Sequence, residues 1–375
     1  MKQGIIISVI VMLILKLPFT GNGDNKVLSE DAFLAQVLTY HPLAKSAGLL
    51  DDEAAAYLRR ARGGFDPKLQ GSYYTKEFKG SEYYTLPEAE LIIPTLAGID
   101  IRAGWMNGSG DLLNPQNTFP DQGLLHLGLD LPIGKGLFTD ERRNHLRKAQ
   151  IFIDLNSNER ISALNDLALD ASSYYWKWYL SWRYIRILTK AVELSEQRLA
   201  QIEESYRLGD LAAIDTLEAY TQVQYRRLEL MQAEQDLIVS SWQVSQFIWD
   251  ENGSPLFLDP QTIPVLDSID MELRYSQFTN ETTNWTDSLS NHPSLRIAEL
   301  KMEQTEQDIR YWKEQLKPRL DLSYNAIMGW QDLRSDGISN AEPGNDYTIG
   351  IKASIPLFLR KERGSLKMEK VELQR

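Results

Sequence analysis

The feature that most restricts the possible folds of this chain is a plan that occurs twice, 251 residues apart. Pro42 and Pro293, each directly after a histidine, open helical segments, and each segment reaches a second proline 25 residues later, at Pro67 and Pro318. An alternating apolar and polar stretch follows each second proline, and a further alternating stretch comes later in each half. A helix–strand–strand–helix unit that is written twice indicates one supersecondary design used twice.

The alternating stretches predict β-strands with one apolar and one polar face. The second half contains two of them, 319–328 and 347–355, and the first half contains 68–74 and 125–131. Strands of about ten residues with this alternation are typical of a transmembrane barrel, although a soluble β-sandwich shows the same period. The long segment 79–122 lies between the first two strands, and we expect extra β-structure there in an external loop.

Two long segments without glycine or proline predict a helical hairpin. The first runs from Leu137 to Leu208, and as a continuous helix its 72 residues would be about 100 Å long. The second runs from Asp210 to Asn252. Gly209 stands between them, where glycine can adopt the left-handed conformation that ends a helix, and Asp210 is expected to cap the next helix.

Apolar residues recur on these two helices at the spacing of packed helices. Residues 185–206 show the three-four spacing of a coiled coil. Two stripes on 210–252 suit the wall of a helical bundle, one containing Ile214, Leu217, Leu228 and Met231 and the other Val223, Leu230, Leu237 and Val244. The aromatic residues of 174–182 are expected to pack between helices rather than to bind a ligand.

Composition restricts the compartment and the partners. The chain has 375 residues, no cysteine, and a net charge of −12, so clustered cations for nucleic acid are not expected. Residues 1–23 carry Lys2 and an apolar run from Ile5 to Leu15, which is shorter than the roughly 20 residues of a membrane helix. This pattern predicts a secretory signal peptide, with a short N-terminal anchor as the alternative. The absence of cysteine suits an extracytoplasmic location.

The sequence shows no pattern of residues that indicates catalysis. Four histidines, His41, His126, His145 and His292, are scattered without the spacing of metal ligands, and two of them stand at equivalent helix starts where a structural role is expected. Nucleophile and phosphate-binding motifs are absent. We therefore expect a protein that is not an enzyme and needs no cofactor or metal. The acidic residues beside the strands are interpreted as caps or interface charges: Asp66, Asp130 and Asp140.

In this order the segments resemble the TolC-like outer-membrane efflux channel family. The likeness covers roughly 28–375, and the ordered set carries it rather than any single motif. The supporting segments are the two His-Pro starts, 64–69, Leu129-Asp130-Leu131-Pro132 leading to Asp140-Glu141-Arg142-Arg143, and the hairpin that begins Tyr206-Arg207-Leu208-Gly209-Asp210-Leu211.

The resemblance implies an α+β membrane protein of the Gram-negative outer membrane with a long periplasmic extension. Three protomers would each give four strands to one twelve-stranded β-barrel, and antiparallel helical hairpins would form a coiled-coil tunnel. Because about eight strands is the practical minimum for a closed barrel, four strands require other copies of the chain. The implied function is a passive conduit of a tripartite efflux or type I secretion system.

The resemblance also implies partners at the periplasmic tip. A periplasmic adaptor protein would contact the tip and link it to an inner-membrane pump. The matching positions are Arg207, Leu208, Gly209, Asp210 and Leu211. Outer-membrane lipid is the other expected partner, and nucleic acid is not expected. No sequence motif selects a cargo.

The duplication predicts the domain boundaries. After a signal peptide at 1–23, a first repeat occupies 24–249, a linker or equatorial segment 250–290, and an incomplete second repeat 291–375. By analogy with the first repeat the second falls about 100 residues short, so we expect a C-terminally truncated chain that would not assemble a sealed channel. The alternative is a periplasmic coiled-coil adaptor or scaffold without a pore, and a less favoured one is a soluble ligand-binding β-protein with helical arms.

Overall fold

The computed structural model describes residues 26–115, 119–265, 292–330 and 346–375. The signal peptide expected at 1–23 and most of the linker expected at 250–290 lie outside these residues. The chain divides into two compact units, one from 1–46 and 163–283 and the other from 47–162 and 284–375.

The strands and helices follow one another along both units. The strands are β1 (Val27–Ser29), β2 (Lys68–Phe78), β3 (Ser81–Pro94), β4 (Asp100–Met106), β5 (Leu124–Pro132), β6 (Ile263–Val265), β7 (Arg319–Gly329) and β8 (Tyr347–Ser354). The helices are α1 (Glu30–Tyr40), α2 (Pro42–Arg62), α3 (Glu141–Arg207), α4 (Ala213–Ser245), α5 (Pro293–Gln315) and α6 (Arg360–Gln374). No helix in the described ranges is both long and apolar enough to cross a membrane.

The second unit is built on one antiparallel sheet of six strands in the order β2-β3-β4-β5-β7-β8. The four strands predicted from the sequence all exist, with β7 and β8 ending within one residue of the predicted limits. The sheet contains two strands beyond these four. These two, β3 and β4, lie between β2 and β5, so the two predicted strands of the first half are not neighbours.

The extra strands come from the segment that the sequence analysis assigned to an external loop. Lys79 and Gly80 have φ angles of 54° and 78°, which suits the two-residue turn that joins neighbouring antiparallel strands. Residues 81–94 and 100–106 then continue the alternation of β2, since Leu91 lies opposite Leu69 on one side and Ala103 on the other. The extra β-structure that the sequence analysis expected in 79–122 is therefore present, as β3 and β4.

Helices of the second unit pack through a small apolar cluster and several polar contacts. Ile151 and Leu155 of α3 pack on Leu300 of α5. The Asn156 amide donates a hydrogen bond to the Leu50 carbonyl at 2.9 Å, which joins α2 to α3. These contacts hold the start of α3 against both flanking helices of this unit.

Both helix-start histidines have the structural role that the sequence predicts. In the first unit, Nδ1 of His41 accepts a hydrogen bond from the backbone N–H of Leu43 at 3.2 Å. Burial lowers the pKa of His41, which favours the neutral ring that this bond requires. In the second unit, Nδ1 of His292 accepts the N–H of Ser294 at 3.2 Å and caps α5.

The first unit has an aromatic core. Phe33 of α1 stacks on Tyr175 of α3, and Trp178 packs against the same ring. The Tyr175 hydroxyl lies 2.9 Å from the carbonyls of Leu28 in β1 and Val265 in β6, the two strands that form a short parallel pair. Burial raises the pKa of Tyr175 to about 12. The prediction that the aromatic segment packs within the protein is confirmed.

Asp140 caps the long helix α3, as the sequence analysis expected for an acidic residue beside a strand. Its Oδ1 accepts the backbone N–H of Arg143 at 2.9 Å and the guanidinium Nε of the same residue at 3.1 Å. Burial alone would raise the pKa of Asp140, but these bonds and the nearby Arg142 lower the pKa below its usual value.

The substitution Asp140→Asn tests the charge of this cap. Asparagine can still cap the helix, so the loss comes from the arginine interactions and should be about 1 kcal/mol of unfolding free energy at pH 7. Since the folded pKa is depressed, the stabilisation is complete above the usual pKa and is lost as the pH falls through the lowered value. Thermal unfolding of both proteins should therefore converge in strong acid. Glu141→Gln, at an exposed neighbour, is the control, and a difference that persists in acid would contradict the assignment.

Candidate functional site

The six-stranded sheet separates apolar from polar side chains across all of its strands. The strand registers place alternate residues of every strand on a common face. The apolar face carries Leu69, Tyr73, Leu91, Ile93, Ile101, Ala103, Trp105, Leu125, Leu127, Leu129, Leu322, Tyr324, Ile349 and Ile351. The polar face carries Lys68, Gln70, Ser72, Glu88, Glu90, Arg102, His126, Asp130, Asp321, Ser323, Asn325, Thr348 and Lys352.

Exposure on the two faces is the reverse of that in a water-soluble sheet. Leu127 and Ile351 on the apolar face are 61% and 70% exposed, whereas His126 and Glu90 on the polar face are each 7% exposed. A sheet in water normally turns its apolar face to a core and its polar face to solvent. Here the apolar face has no partner in the described part of the chain. The polar face is covered at its centre, whereas Lys68, Thr348 and Lys352 on its edge strands are exposed.

A network of charged side chains occupies the middle of the polar face. Arg102 on β4 lies 2.5 Å from Asp130 on β5 and 3.7 Å from Glu90 on β3. Glu90 also accepts a hydrogen bond from the Gln70 amide at 2.8 Å, and its other oxygen lies 3.4 Å from Nε2 of His126. Buried charges are tolerated when they are paired, and this network pairs both carboxylates with Arg102, although Nε of Arg102 and Nδ1 of His126 are buried without a hydrogen-bond partner among the described residues.

Glycines make room for side chains on the polar face. A Cβ atom on Gly128 would lie 1.9 Å from the Asn325 amide oxygen, and one on Gly104 would lie 2.4 Å from the His126 ring. Both glycines therefore allow a polar side chain of the adjacent strand to lie flat against the sheet. Close packing of this kind contributes to the burial of His126 at the centre of the polar face.

A cleft lies in the second unit where the polar face meets the start of α3 and the end of α5. Its volume is about 570 Å³, and side chains of both charges line it, including Asp130, Asp321, Arg319 and Lys352. Arg142 of α3 reaches Asp100 of β4 at 3.0 Å on its wall. Within the described ranges, no group of histidine and acidic side chains is placed to hold a metal ion.

The helical hairpin of the first unit turns at the glycine that the sequence analysis selected. α3 ends at Arg207, and Gly209 has a φ of 86°. Its N–H bonds to the carbonyl of Tyr206 at 3.0 Å, and the N–H of Asp210 bonds to that of Ser205 at 2.9 Å, which is the pattern of a helix that ends in a left-handed residue. The five tip residues 207–211 are therefore brought together in one turn.

One detail of the predicted turn is wrong. Asp210 does not cap α4, because the chain needs two further residues before the helix begins at Ala213. Asp215 performs this function instead, since its carboxylate accepts the backbone N–H of Ala212 at 3.0 Å. An acidic side chain at the third helical position can satisfy the N–H that precedes the helix, as in a capping box.

The tip and the hairpin behind it expose apolar side chains. Leu208 and Leu211 are exposed in the turn. On α4 one predicted stripe is buried, with Val223 and Val244 among the best covered residues of the unit, as expected for the side that meets α3. The other stripe is exposed along the helix: Ile214, Leu217, Leu228 and Met231.

The sequence analysis missed the charged network on the sheet. Glu90 and Arg102 lie in the segment that was assigned to a loop, and His126 was treated as an isolated residue. Alternation was the available signal, since Glu88, Glu90, Asp100 and Arg102 follow a period of two within their own strands. Cross-strand partners could not be identified without the strand order.

Comparisons with known proteins agree with this architecture. No model of a protein family matches the chain, and no curated protein matches it in sequence. Several solved structures share its fold. The outer-membrane protein VceC from Vibrio cholerae aligns with a TM-score of 0.54 and 13% identity over 92% of this chain and 72% of that one. The CmeC outer-membrane channel of Campylobacter jejuni aligns at 0.52 and 13% over 96% and 70%, and CusC at 0.53 and 13% over 95% and 73%.

At 13% identity these alignments show a common fold rather than a common activity. The structural neighbours are outer-membrane channels and not enzymes, as the sequence analysis expected of this chain. The resemblance to the TolC-like outer-membrane efflux channels is thus confirmed at the level of the fold.

Proposed function

We propose that this chain is the outer-membrane channel component of an efflux or type I secretion system. The six-stranded sheet would lie in the outer membrane, with its apolar face toward lipid and its polar face toward a water-filled lumen. The exposed apolar face carries this proposal, because an apolar surface that spans six strands is unfavourable in water and favourable against hydrocarbon chains. The channel would be passive, with energy supplied by an inner-membrane pump.

A ring of copies is required for such a channel. The two edge strands of the sheet, β2 and β8, expose unpaired backbone groups, which cannot face hydrocarbon. Six strands are too few to close a barrel by themselves, since about eight are needed. A homotrimer, as the family resemblance implies, would pair the edge strands of each copy with those of its neighbours.

The helical hairpin of the first unit would form the periplasmic part of the protomer. Its exposed stripe on α4 suits packing against a further helix in a tunnel wall, because apolar side chains at the a and d spacing pack as knobs into holes. The tip residues 207–211 would meet a periplasmic adaptor protein. Support comes from Leu208 and Leu211, two apolar side chains that are exposed in the turn. The left-handed backbone of the turn requires Gly209 but does not require an apolar residue at either position.

We also propose that 24–249 and 291–375 are two copies of one repeat, joined by 250–290 and preceded by a signal peptide at 1–23. The equivalent caps support it, since His41 and His292 each accept a backbone N–H two residues ahead. The order of elements supports it too, because α2 precedes β2 as α5 precedes β7.

Fractionation and conductance test the proposed function. We expect this chain in the outer-membrane fraction, and a chain completed with the second helical hairpin as an oligomer in mild detergent with ohmic conductance in planar bilayers. Release by osmotic shock as a water-soluble monomer would overturn the proposal and favour an adaptor or scaffold without a pore. Membrane-bound protein that conducts nothing would also contradict the conduit.

Charge on the apolar face tests the lipid contact. Leu127→Arg places a cation in the middle of the exposed face and should lower the free energy of unfolding from lipid vesicles by about 2–4 kcal/mol. The matched control is Thr348→Arg, which adds the same charge at an exposed position of the polar face and should change it little. Urea unfolding in vesicles measures both, and equal effects would contradict the orientation of the sheet.

Photo-crosslinking tests the tip. A photoreactive residue at Leu208 should give one main adduct in intact cells, with a periplasmic protein that contains a long helical hairpin. The control position is Phe257, which is also apolar and exposed but lies far from the turn in sequence. Mass spectrometry identifies the adduct. Identical products at both positions, or none at Leu208, would exclude the tip as the adaptor contact.

A further inference from the structure

We infer that exposed cations at one end of the six-stranded sheet bind the phosphate groups of anionic phospholipids, in the leaflet from which the helices would emerge. The cations belong to two segments, 59–62 at the end of α2 and 360–363 at the start of α6, and we call this surface the basic rim. The inference rests on the proposed function, because it assumes that the apolar face of the sheet lies in lipid. It adds the class of lipid and the residues that recognise it.

Both segments of the basic rim adjoin the same end of the sheet. α2 ends at Arg62 shortly before β2 begins at Lys68, and β8 ends at Ser354 shortly before α6 begins at Arg360. Because all neighbouring strands are antiparallel, the start of β2 and the end of β8 lie at one end of the sheet. In the proposed channel the strands would leave the hydrocarbon at this end.

The basic rim has the opposite charge to the chain as a whole. The chain carries a net charge of −12, whereas the rim contains five arginines, one lysine and one glutamate. All six cationic side chains are exposed. In the described part of the chain none of them forms an ion pair with an acidic side chain. Their charges are therefore available to an anion outside the chain.

The dipole of α6 does not account for its cations. Positive side chains stabilise a helix when they stand in its last turn, as those of α2 do, and destabilise it when they stand in its first turn. The cations of α6 stand in the first turn, and this helix also begins without a side-chain cap. Bound phosphate would offset both costs, which favours an external anion over a role within the helix.

Apolar side chains lie directly beside these cations. Leu357 and Phe358, between β8 and α6, are 88% and 68% exposed, and Ile355 before them continues the apolar face of β8. The guanidinium carbon of Arg360 lies 5.0 Å from the centre of the Phe358 ring. An apolar segment that runs directly into cations suits the boundary between acyl chains and head groups, where each part meets its own kind of partner.

The turn after β5 has a similar pair. Phe138 is also 68% exposed, and Nζ of Lys317 lies 4.5 Å from the centre of its ring. Lys317 is already paired with Glu314 at 2.6 Å, so we assign the phosphate contacts to the basic rim and not to this lysine. The pair places a second exposed ring beside a cation at the same end of the sheet, as expected if this end lies at the membrane surface.

The combination of groups selects a lipid over a soluble anion. A soluble phosphate would be attracted by the cations alone and would leave Leu357 and Phe358 exposed to water. An anionic phospholipid offers a phosphate to the cations and hydrocarbon to the apolar side chains. Each cation near a membrane surface contributes enough to raise the affinity for anionic lipid about fivefold, so several cations are sufficient to distinguish anionic from zwitterionic lipids.

Spin-labelled lipids test this preference. The chain is reconstituted in phosphatidylcholine vesicles with a trace of spin-labelled phosphatidylglycerol or spin-labelled phosphatidylcholine, and the motionally restricted fraction gives the relative association constant. We expect a preference of about fivefold for phosphatidylglycerol, which high salt lowers. The variant Arg360→Gln/Lys361→Gln/Arg363→Gln should lower it below about twofold. Excess inorganic phosphate should leave the wild-type preference unchanged, and its loss would indicate a site for soluble phosphate instead.

Two control variants separate charge from structure. Arg360→Lys/Lys361→Arg/Arg363→Lys keeps all three charges and should keep the preference. Lys190→Gln/Arg198→Gln removes two charges from exposed positions of α3 that lie roughly 70 Å or more along the helix from its start, and should also keep it. Equal restriction of both lipids by the wild-type chain, or a preference that survives removal of the three charges, would overturn the inference.

Depth measurements test the position of the rim, since the chain contains no cysteine of its own. A nitroxide at Phe358→Cys should collide more with dissolved oxygen than with a water-soluble nickel complex. The control is Met368→Cys in α6, which is similarly exposed and should favour the nickel complex. Equal access of nickel to both positions would overturn the inference. If the wild-type chain enters the membrane but shows no lipid preference, the lipid site alone fails. If the chain stays in water as a monomer, the channel function fails.

Discussion

Backbone hydrogen bonding is the constraint from which the structure of the sheet follows. Hydrocarbon offers no partner for an N–H or a carbonyl, so strands in a membrane must pair on both sides. The sheet of this chain satisfies the condition within itself for β3, β4, β5 and β7 and leaves it open at β2 and β8. In the proposed channel, the width of the sheet, its exposed apolar face and its need for further copies all follow from the need to pair every backbone N–H and carbonyl.

The same requirement places the charged residues. Once the apolar side chains face outward, the alternation of the strands forces the polar side chains onto a common inner face. Arg102 is positioned between Glu90 and Asp130, so each carboxylate of the pair has a cation at hand. Removing Arg102 would leave the carboxylates of Glu90 and Asp130 close together with little solvent. The loss of folding free energy would exceed that of replacing the whole ion-pair network by apolar side chains. Gly104 belongs to the same arrangement, because a larger residue there would displace His126.

How much of the fold and of the sheet's charged network could be predicted from the sequence depends on whether a feature is determined by neighbouring residues or by residues far apart in the chain. Local signals worked well: Gly209 ends a helix, His292 caps one, and the period-two segments 319–328 and 347–355 are strands. Non-local pairing was beyond reach. The position of β3 and β4 between β2 and β5 depends on hydrogen bonds between strands, and no local propensity encodes those neighbours. The predicted cap at Asp210 failed for a smaller reason, since two further residues separate Asp210 from the start of the helix at Ala213.

The polar face also bears on how a channel of this kind selects its cargo. Charges of both signs alternate on it, with Glu90, Asp130 and Asp321 near Arg102 and Lys352. Opposite charges at contact distances cancel beyond about 8–10 Å at physiological salt, so the face projects little net field into a wide lumen. In the channel proposed above, discrimination by charge would then fall to elements other than the sheet.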